Sequence, residues 1–241
     1  MSQRIRLGIL TPSSNTSLEP LTQAVVAALP GVSVHFARFP VTQIALSPDA
    51  LAQFQRDHIL DAARLLADAH VDMIGWSGTS AGWLGFDQDE ALCEAITEAT
   101  GVPASTSVLA LNRALGALKI RRLGLVSPYL ADVQQKIIAN YAARGIDASC
   151  ESHLGIQDNF AFALVDEPTL DRQVADVVAA GAEAVTTFCT NLYAAHRVVH
   201  WEQQHGVPVL DTVTTVVWDM LRRLNVDTRR IDGWGRLFRE I

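Results

Sequence analysis

One cysteine, Cys189, has a residue type and a sequence context that could support chemistry. It follows the apolar run AVTTF, typical of a buried strand, and we predict a helix beginning near Leu192. A thiolate at a helix N-terminus is stabilised by the helix dipole and by free backbone N–H groups. A free cysteine can also be a small apolar core residue. At this point the sequence leaves both interpretations of Cys189 open.

A second strand-to-loop junction, DMIGWSGTS, is similar to the one around Cys189 but holds Gly78 in place of the thiol. Glycine lets the backbone approach a ligand closely and leaves its N–H accessible. The following Thr79 and Ser80 add two hydroxyls and further N–H groups. Such a loop can bind a carboxylate or an enediolate. The alternative is an ordinary turn whose hydroxyls cap a helix.

Other polar loops carry side chains that could bind the same anion. Ser14 and Asn15 lie in TPSSN, Tyr129 ends the segment SPY, and Asn159 lies in GIQDNF. The phenol of Tyr129 can donate a hydrogen bond to an anion. Serine and asparagine are also common turn residues, so these loops could have conformational roles alone.

The polar loops belong to a regular alternation of strand-like and helical segments. Short apolar runs predict strands, and apolar residues at a 3.6-residue period predict helices between them. This alternation is typical of parallel sheets covered by helices. The predicted strands are 6–11, 32–39, 73–76, 104–106, 122–126, 147–151, 184–188 and 207–210, and the predicted helices are 49–69, 89–100, 107–118, 133–144 and 169–180.

The chain also contains an internal duplication, which predicts an α/β fold of two parallel-sheet lobes related by a pseudo-twofold axis. We place the lobes at 1–118 and 119–241, with the C-terminal segment as a candidate to cross over and pack on the first lobe. Ligands of open parallel sheets bind beyond the carboxyl ends of the strands, so we expect the site in the cleft between the lobes. The matched segments are 5–15 with 121–131, 70–80 with 181–191, and 100–118 with 205–224.

Composition and charge argue against several classes of partner. The 241 residues carry a formal charge of -7 and no basic stripe, so we expect no nucleic acid. No apolar run approaches the roughly 18 residues of a membrane span, and the N-terminus lacks signal-peptide features, so we expect a cytoplasmic protein without a membrane partner. No metal or nucleotide motif is present, so we expect no metal and no other cofactor. We assign Cys93 to a helix core and Cys150 to a strand outside the cleft.

Duplicated lobes with facing strand-end loops resemble the aspartate/glutamate racemase superfamily. Within it, the chain is most similar to arylmalonate decarboxylase, and the similarity runs over most of its length. The motifs that carry it are GTS at 78–80, EATGVP at 98–103, the tyrosine and DV at 129–133, the single Cys189, and GWGRLF at 233–238.

The resemblance implies specific roles for the matched residues. Thr79, Ser80 and Tyr129 would form a dioxyanion hole, with the backbone at Thr190 contributing, and Cys189 would protonate the intermediate. Members of the superfamily typically have one cysteine in each lobe. Here the first cysteine position is a glycine, residue 78.

Two further segments, PSSNT at 12–16 and DNF at 158–160, resemble maleate cis-trans isomerase instead. That resemblance implies that Asn15 and Asn159 hold a substrate carboxylate. The nucleophilic cysteine usual in that enzyme would again fall at Gly78.

These features favour a cofactor-independent decarboxylase of a substituted malonate, in which one thiol protonates the carbanion once. Apolar walls would destabilise the leaving carboxylate, and Trp83, Leu84 and Phe160 are our candidates for them. One alternative is an isomerase, racemase or lyase that acts on a small dicarboxylate through Cys189 as nucleophile. Another is a two-lobed binding module without activity. We expect a small dicarboxylate as the partner, and the sequence leaves open whether the chain forms a homo-oligomer.

Overall fold

Two four-stranded parallel sheets form the centre of the protein, described by a computed structural model over residues 4–241. The order is β2-β1-β3-β4 in the first sheet and β6-β5-β7-β8 in the second, with strands numbered along the chain. Both sheets thus have the same topology, and the predicted α/β fold of two parallel-sheet lobes is confirmed. The strands are β1 (Ile5–Pro12), β2 (Val32–Phe39), β3 (Met73–Trp76), β4 (Ala104–Thr106), β5 (Arg122–Ser127), β6 (Asp147–His153), β7 (Ala184–Thr187) and β8 (Val209–Asp211).

Helices cover the sheets, as the alternating pattern predicts. None of the helices within residues 4–241 is long and apolar enough to cross a membrane. Short 3-10 helices span Phe160–Leu164, Ala195–Arg197 and Thr228–Arg230. The α-helices are α1 (Leu18–Val26), α2 (Pro48–Ala52), α3 (Arg56–Asp68), α4 (Ala81–Leu84), α5 (Phe86–Thr100), α6 (Ser107–Ala117), α7 (Ala131–Ala143), α8 (Glu167–Ala179), α9 (Val198–His205), α10 (Thr212–Arg223) and α11 (Leu237–Glu240).

Three predicted elements differ from the structure for local reasons. The predicted helix 49–69 is two helices, because Gln53 ends α2 and its side-chain Oε1 accepts from the Thr42 N–H at 2.6 Å. The strand predicted at 207–210 begins later, at Val209, after a proline that has no N–H to donate. The helix predicted near Leu192 is wrong, because a turn follows Cys189 and the next α-helix begins at Val198.

The duplication extends to the register of the two sheets. Trp76 of β3 pairs with Leu10 and Thr106, and Thr187 of β7 pairs with Val126 and Asp211. Trp76 and Thr187 are therefore equivalent positions. Two residues further along the chain, Gly78 and Cys189 are equivalent as well.

Helix α10 connects the two halves of the chain. Its Thr215 hydroxyl donates to the Ser107 carbonyl at 3.0 Å, and the carboxylate of its Asp219 accepts from Ser105 at 2.5 Å and from Arg113 at 2.8 Å. Helix α10 thus packs on α6 and β4. The division at 118/119 and the crossing over of the C-terminal segment stay predictions.

Candidate active site

A small cavity lies between the lobes, beyond the carboxyl ends of β3 and β7. It encloses about 20 Å³, roughly the room for one water-sized sphere. The apolar part of its wall consists of Pro12, Val41, Ile44, Phe54, Trp76 and Trp83. The polar part consists of residues that the sequence predicts for the site, namely Gly78, Thr79, Ser80, Tyr129, Asn159, Cys189 and Thr190.

Cys189 is buried at the end of β7, where its sulfur is surrounded by hydrogen-bond donors. Burial raises the pKa of its thiol to about 11, although hydrogen bonds from the Tyr129 phenol and from the N–H groups of Asn191 and Leu192 oppose the rise. The nearby Asp211 carboxylate raises this pKa further. Cys189 is therefore a neutral thiol at neutral pH. The sequence predicts a helix dipole at this sulfur. In the structure the N–H groups of Asn191 and Leu192, which belong to a turn, take its place.

The Tyr129 phenol lies between the two anion-binding elements. Its oxygen is 2.6 Å from the Thr79 hydroxyl, and it also hydrogen-bonds Cys189. The ring is held edge-on by Trp83 and Phe162, with centroid distances of 5.3 and 5.6 Å. Burial raises the pKa of this phenol well above its ordinary value, so it stays protonated and can donate.

The loop after β3 lines the cavity with Gly78, Thr79 and Ser80. Within residues 4–241, the N–H groups of Gly78, Thr79 and Ser80 donate to no protein acceptor, and neither does that of Thr190 in the facing loop. N–H groups that converge on one space bind an anion, because each contributes a partial positive charge. This cluster has the donor chemistry of a dioxyanion hole.

Asn15 lies behind the cavity wall rather than in it. Its side-chain oxygen accepts from the N–H groups of Ser17 and Leu18 at 3.0 and 2.9 Å, which caps α1. Its Nδ2 donates to the Thr190 hydroxyl at 3.3 Å, and that hydroxyl donates to the Ser77 carbonyl at 3.2 Å. Asn15 therefore holds the two facing loops together in this structure.

Asn159 lines the cavity, whereas Ser14 lies behind it. The Asn159 amide donates to the Ser14 hydroxyl at 2.7 Å, and Ser14 donates to the Val41 carbonyl at 2.6 Å. The Asn159 backbone N–H donates to the Thr42 carbonyl at 3.0 Å. These bonds bring loops from both lobes together over one side of the cavity.

Sequence reasoning missed the importance of Trp76 at the end of β3. This side chain is buried, and its indole fills the space that a Cβ atom on Gly78 would need. The ring packs against Phe39 at a centroid distance of 5.1 Å. One signal was present, because side chains two residues apart in an extended segment point to the same face. Gly78, the equivalent of Cys189 in the first loop, therefore has no thiol, and the Trp76 indole occupies the space of a side chain there.

For two of the three residues predicted to form apolar walls, the prediction is wrong. Leu84 and Phe160 are 38% and 48% exposed and do not line the cavity, whereas Trp83 does. Cys93 in α5 and Cys150 in β6 also lie outside the cavity wall, and all three cysteines are free. The part of the chain that the structure describes has no group of three or more His, Cys, Asp or Glu side chains that could hold a metal ion.

Comparison with known proteins gives the family of the chain. The family model of arylmalonate decarboxylase matches residues 13–238. The chain belongs to the arylmalonate decarboxylase family. It is 32% identical to arylmalonate decarboxylase of Bordetella bronchiseptica over 188 residues, which cover 76% of this chain and 78% of that protein.

This member of the family is also similar to maleate isomerases. It is 27% identical to maleate isomerase of Pseudomonas putida over 239 residues, which cover 94% of each chain. A solved structure of maleate isomerase from Pseudomonas putida S16 with maleate superimposes with a TM-score of 0.90 at 25% identity, covering 98% of both chains. The relatives are thus enzymes of two reaction types, a decarboxylase and isomerases.

Proposed function

We propose that the protein is a cofactor-independent decarboxylase of 2-substituted malonates. The observation that carries the proposal is the position of Cys189, the one cysteine among residues 4–241 that lines the cavity. Gly78, Thr79 and Ser80, whose N–H groups have no acceptor among residues 4–241, line the same cavity. Because the pKa of this thiol is raised to about 11, the group suits proton donation at neutral pH better than nucleophilic attack.

In the proposed reaction, one carboxylate of the malonate binds the N–H groups of Thr79, Ser80 and Thr190. The bond between C2 and the other carboxylate breaks, CO₂ leaves, and the electron pair of that bond moves into an enediolate. The Thr79 hydroxyl donates to the Tyr129 oxygen 2.6 Å away, and the Tyr129 phenol donates to this growing negative charge. Preorganised donors of this kind stabilise the transition state more than the ground state.

Cys189 then transfers its proton to C2 and becomes a thiolate. The thiolate accepts hydrogen bonds from the Tyr129 phenol and from the N–H groups of Asn191 and Leu192. These bonds lower the cost of a buried negative charge while it persists. A proton from solvent restores the thiol and completes the cycle.

The apolar part of the wall supports loss of CO₂. Val41, Ile44 and Phe54 offer no charge to a carboxylate beside them. A carboxylate in such surroundings loses hydration, whereas neutral CO₂ does not, so desolvation favours cleavage.

An isomerase, racemase or lyase acting on a small dicarboxylate is the second candidate. The presence of Asn159 in the cavity and the similarity to maleate isomerases over 94% of the chain favour it. In that reaction Cys189 would act as a nucleophile, which requires the thiolate form. The raised pKa and the indole over Gly78 favour the decarboxylase.

Incubation with 2,2-disubstituted malonates and, separately, with maleate distinguishes the two candidates. We expect CO₂ release from a malonate, no fumarate from maleate, and no mass increase of a Cys189-containing peptide. Fumarate formation together with a covalent Cys189 adduct, without any CO₂ release, would show the isomerase to be correct.

A further inference from the structure

Two indole N–H groups in the cavity wall have no hydrogen-bond acceptor. Trp76 and Trp83 both line the cavity and are 1% and 5% exposed. The Nε1 atom of each is buried and donates to no acceptor within residues 4–241. Buried donors are rarely left unpaired, because each loses its hydration without a replacement. Trp76 and Trp83 differ from other buried indoles in that they line the cavity, where a bound ligand can supply the missing acceptor.

The indoles of Trp76 and Trp83 lie against different residues of the cavity wall. The Trp76 edge formed by Cε2 and Cζ2 lies over Gly78, and Nε1 is bonded to Cε2. The Trp83 ring packs edge-on against Tyr129 and Phe54 at 5.3 and 5.9 Å. Both indoles therefore belong to the wall of the cavity that the candidate dioxyanion-hole residues line.

We infer that the substrate is a malonate whose short 2-substituent carries an oxygen atom that accepts from Trp76 and Trp83. The inference rests on the proposed function, and it defines the substrate class. An indole N–H can only donate, so an acceptor is required. An aryl or alkyl substituent would leave both donors buried and unpaired, whereas a hydroxyl, keto or carboxylate oxygen would satisfy them.

Size favours the same class of substituent. The cavity encloses about 20 Å³, and Trp76, Trp83 and Phe54 supply bulky aromatic walls. These walls must move apart to admit even an unsubstituted malonate. A one-atom or two-atom substituent requires the least additional displacement of a closely packed wall.

A matched pair of substrates tests the inference. In 2-hydroxy-2-methylmalonate and 2,2-dimethylmalonate, a hydroxyl replaces a methyl group of nearly the same size. We expect kcat/KM to favour the hydroxy compound by about tenfold or more. Trp76→Phe and Trp83→Phe keep an aromatic ring and lose the N–H. Each should lower the ratio of kcat/KM for the hydroxy compound to kcat/KM for the dimethyl compound by about tenfold, whatever its effect on the activity common to both.

The chain offers a matched control in Trp218 of α10. This indole is also buried with an unpaired Nε1, but it does not line the cavity. Trp218→Phe should leave the preference between the two malonates unchanged. Near-ultraviolet circular dichroism of all three variants verifies that the aromatic packing is retained.

Binding to Cys189→Ala, measured by calorimetry, separates this inference from the proposed function. If no malonate releases CO₂ but hydroxymalonate binds more tightly than methylmalonate, and Trp76→Phe removes the preference, the recognition claim stands and the decarboxylase fails. Equal losses for both compounds in Trp76→Phe would mean that the N–H contacts a carboxylate common to both, and would overturn the inference. Equal affinity for the two compounds, or no binding of either, would overturn it as well.

Discussion

The loops that follow β3 and β7 begin with the same backbone hydrogen bond and differ at the residue after it. The Ser77 N–H donates to the Leu10 carbonyl at 3.3 Å, and the equivalent Phe188 N–H donates to Val126 at 2.7 Å. One residue further along each loop, the first has glycine and the second has Cys189. In the proposed reaction, the first loop binds the anion and the second loop supplies the proton donor.

The two loops also differ in the side chain two residues before Gly78 and two residues before Cys189. Trp76 covers the first loop and leaves no room for a side chain at Gly78. The equivalent Thr187 is small, and its hydroxyl donates to the Asp211 carboxylate at 2.5 Å. The comparison shows that asymmetry of a duplicated site is set by neighbouring side chains as well as by the catalytic residue.

The largest effect should come from removing the proton donor of the second loop. We expect Cys189→Ala to lower kcat by on the order of a thousandfold or more, because no other thiol among the described residues lines the cavity. Cys150→Ala is the control, since its sulfur lies in β6 and contacts the Ala180 carbonyl at 3.3 Å. Initial rates of CO₂ release measure both. Near wild-type turnover by Cys189→Ala would contradict every role assigned to this thiol.

Removal of donors from the first loop and its partner should have the next largest effect. Tyr129→Phe and Thr79→Ala should each lower kcat by about a hundredfold, or roughly 3 kcal/mol, with little change in KM. Their hydroxyls, which hydrogen-bond each other, meet charge that grows toward the enediolate. Tyr141→Phe is a matched control, because its phenol is buried but does not line the cavity. An increase in KM alone would indicate a simple carboxylate clamp.

A thiol introduced into the first loop tests whether the Trp76 indole determines the difference between the two loops. Gly78→Cys alone should destabilise the protein and yield no racemase, because the new Cβ overlaps the Trp76 indole. Gly78→Cys combined with Trp76→Val makes the first loop resemble the second. We expect this double variant to exchange the C2 proton of a 2-substituted acid with deuterium at a low rate, detected by NMR. Exchange by the single variant, or none by a folded double variant, would show that the indole does not determine the asymmetry.

We expect the smallest effect from removing the negative charge of Asp211 beside the Cys189 thiol. Asp211 raises the pKa of Cys189, so Asp211→Asn should lower that pKa. A proton donor is active below its pKa, so kcat is flat near neutral pH and declines as pH approaches about 11. The decline should move to lower pH in Asp211→Asn. Asp89→Asn, another buried acid outside the cavity wall, should leave it in place.

Much of the fold could be predicted because each strand and helix has its own local pattern. The repeated strand-to-loop junctions also predicted which polar residues would meet, and seven of them line one cavity. The sequence could not predict that Asn15 lies behind Thr190. The Asn15 amide can donate to a substrate or to a protein hydroxyl, and in the structure it donates to the hydroxyl of Thr190. Periodicity gave neither the turn at Leu192 nor the exposure of Leu84, because it records which residues are apolar and not where a loop lies.

If one thiol on one face protonates the intermediate, the product has a single configuration. Turnover of 2-hydroxy-2-methylmalonate in D₂O, with chiral analysis and NMR of the lactate formed, measures this. We expect one enantiomer in large excess, carrying one deuterium at C2, whose purity does not decline on prolonged incubation. Racemic lactate, or a steady loss of enantiomeric purity, would require a second proton carrier on the opposite face and would rule out protonation by Cys189 alone.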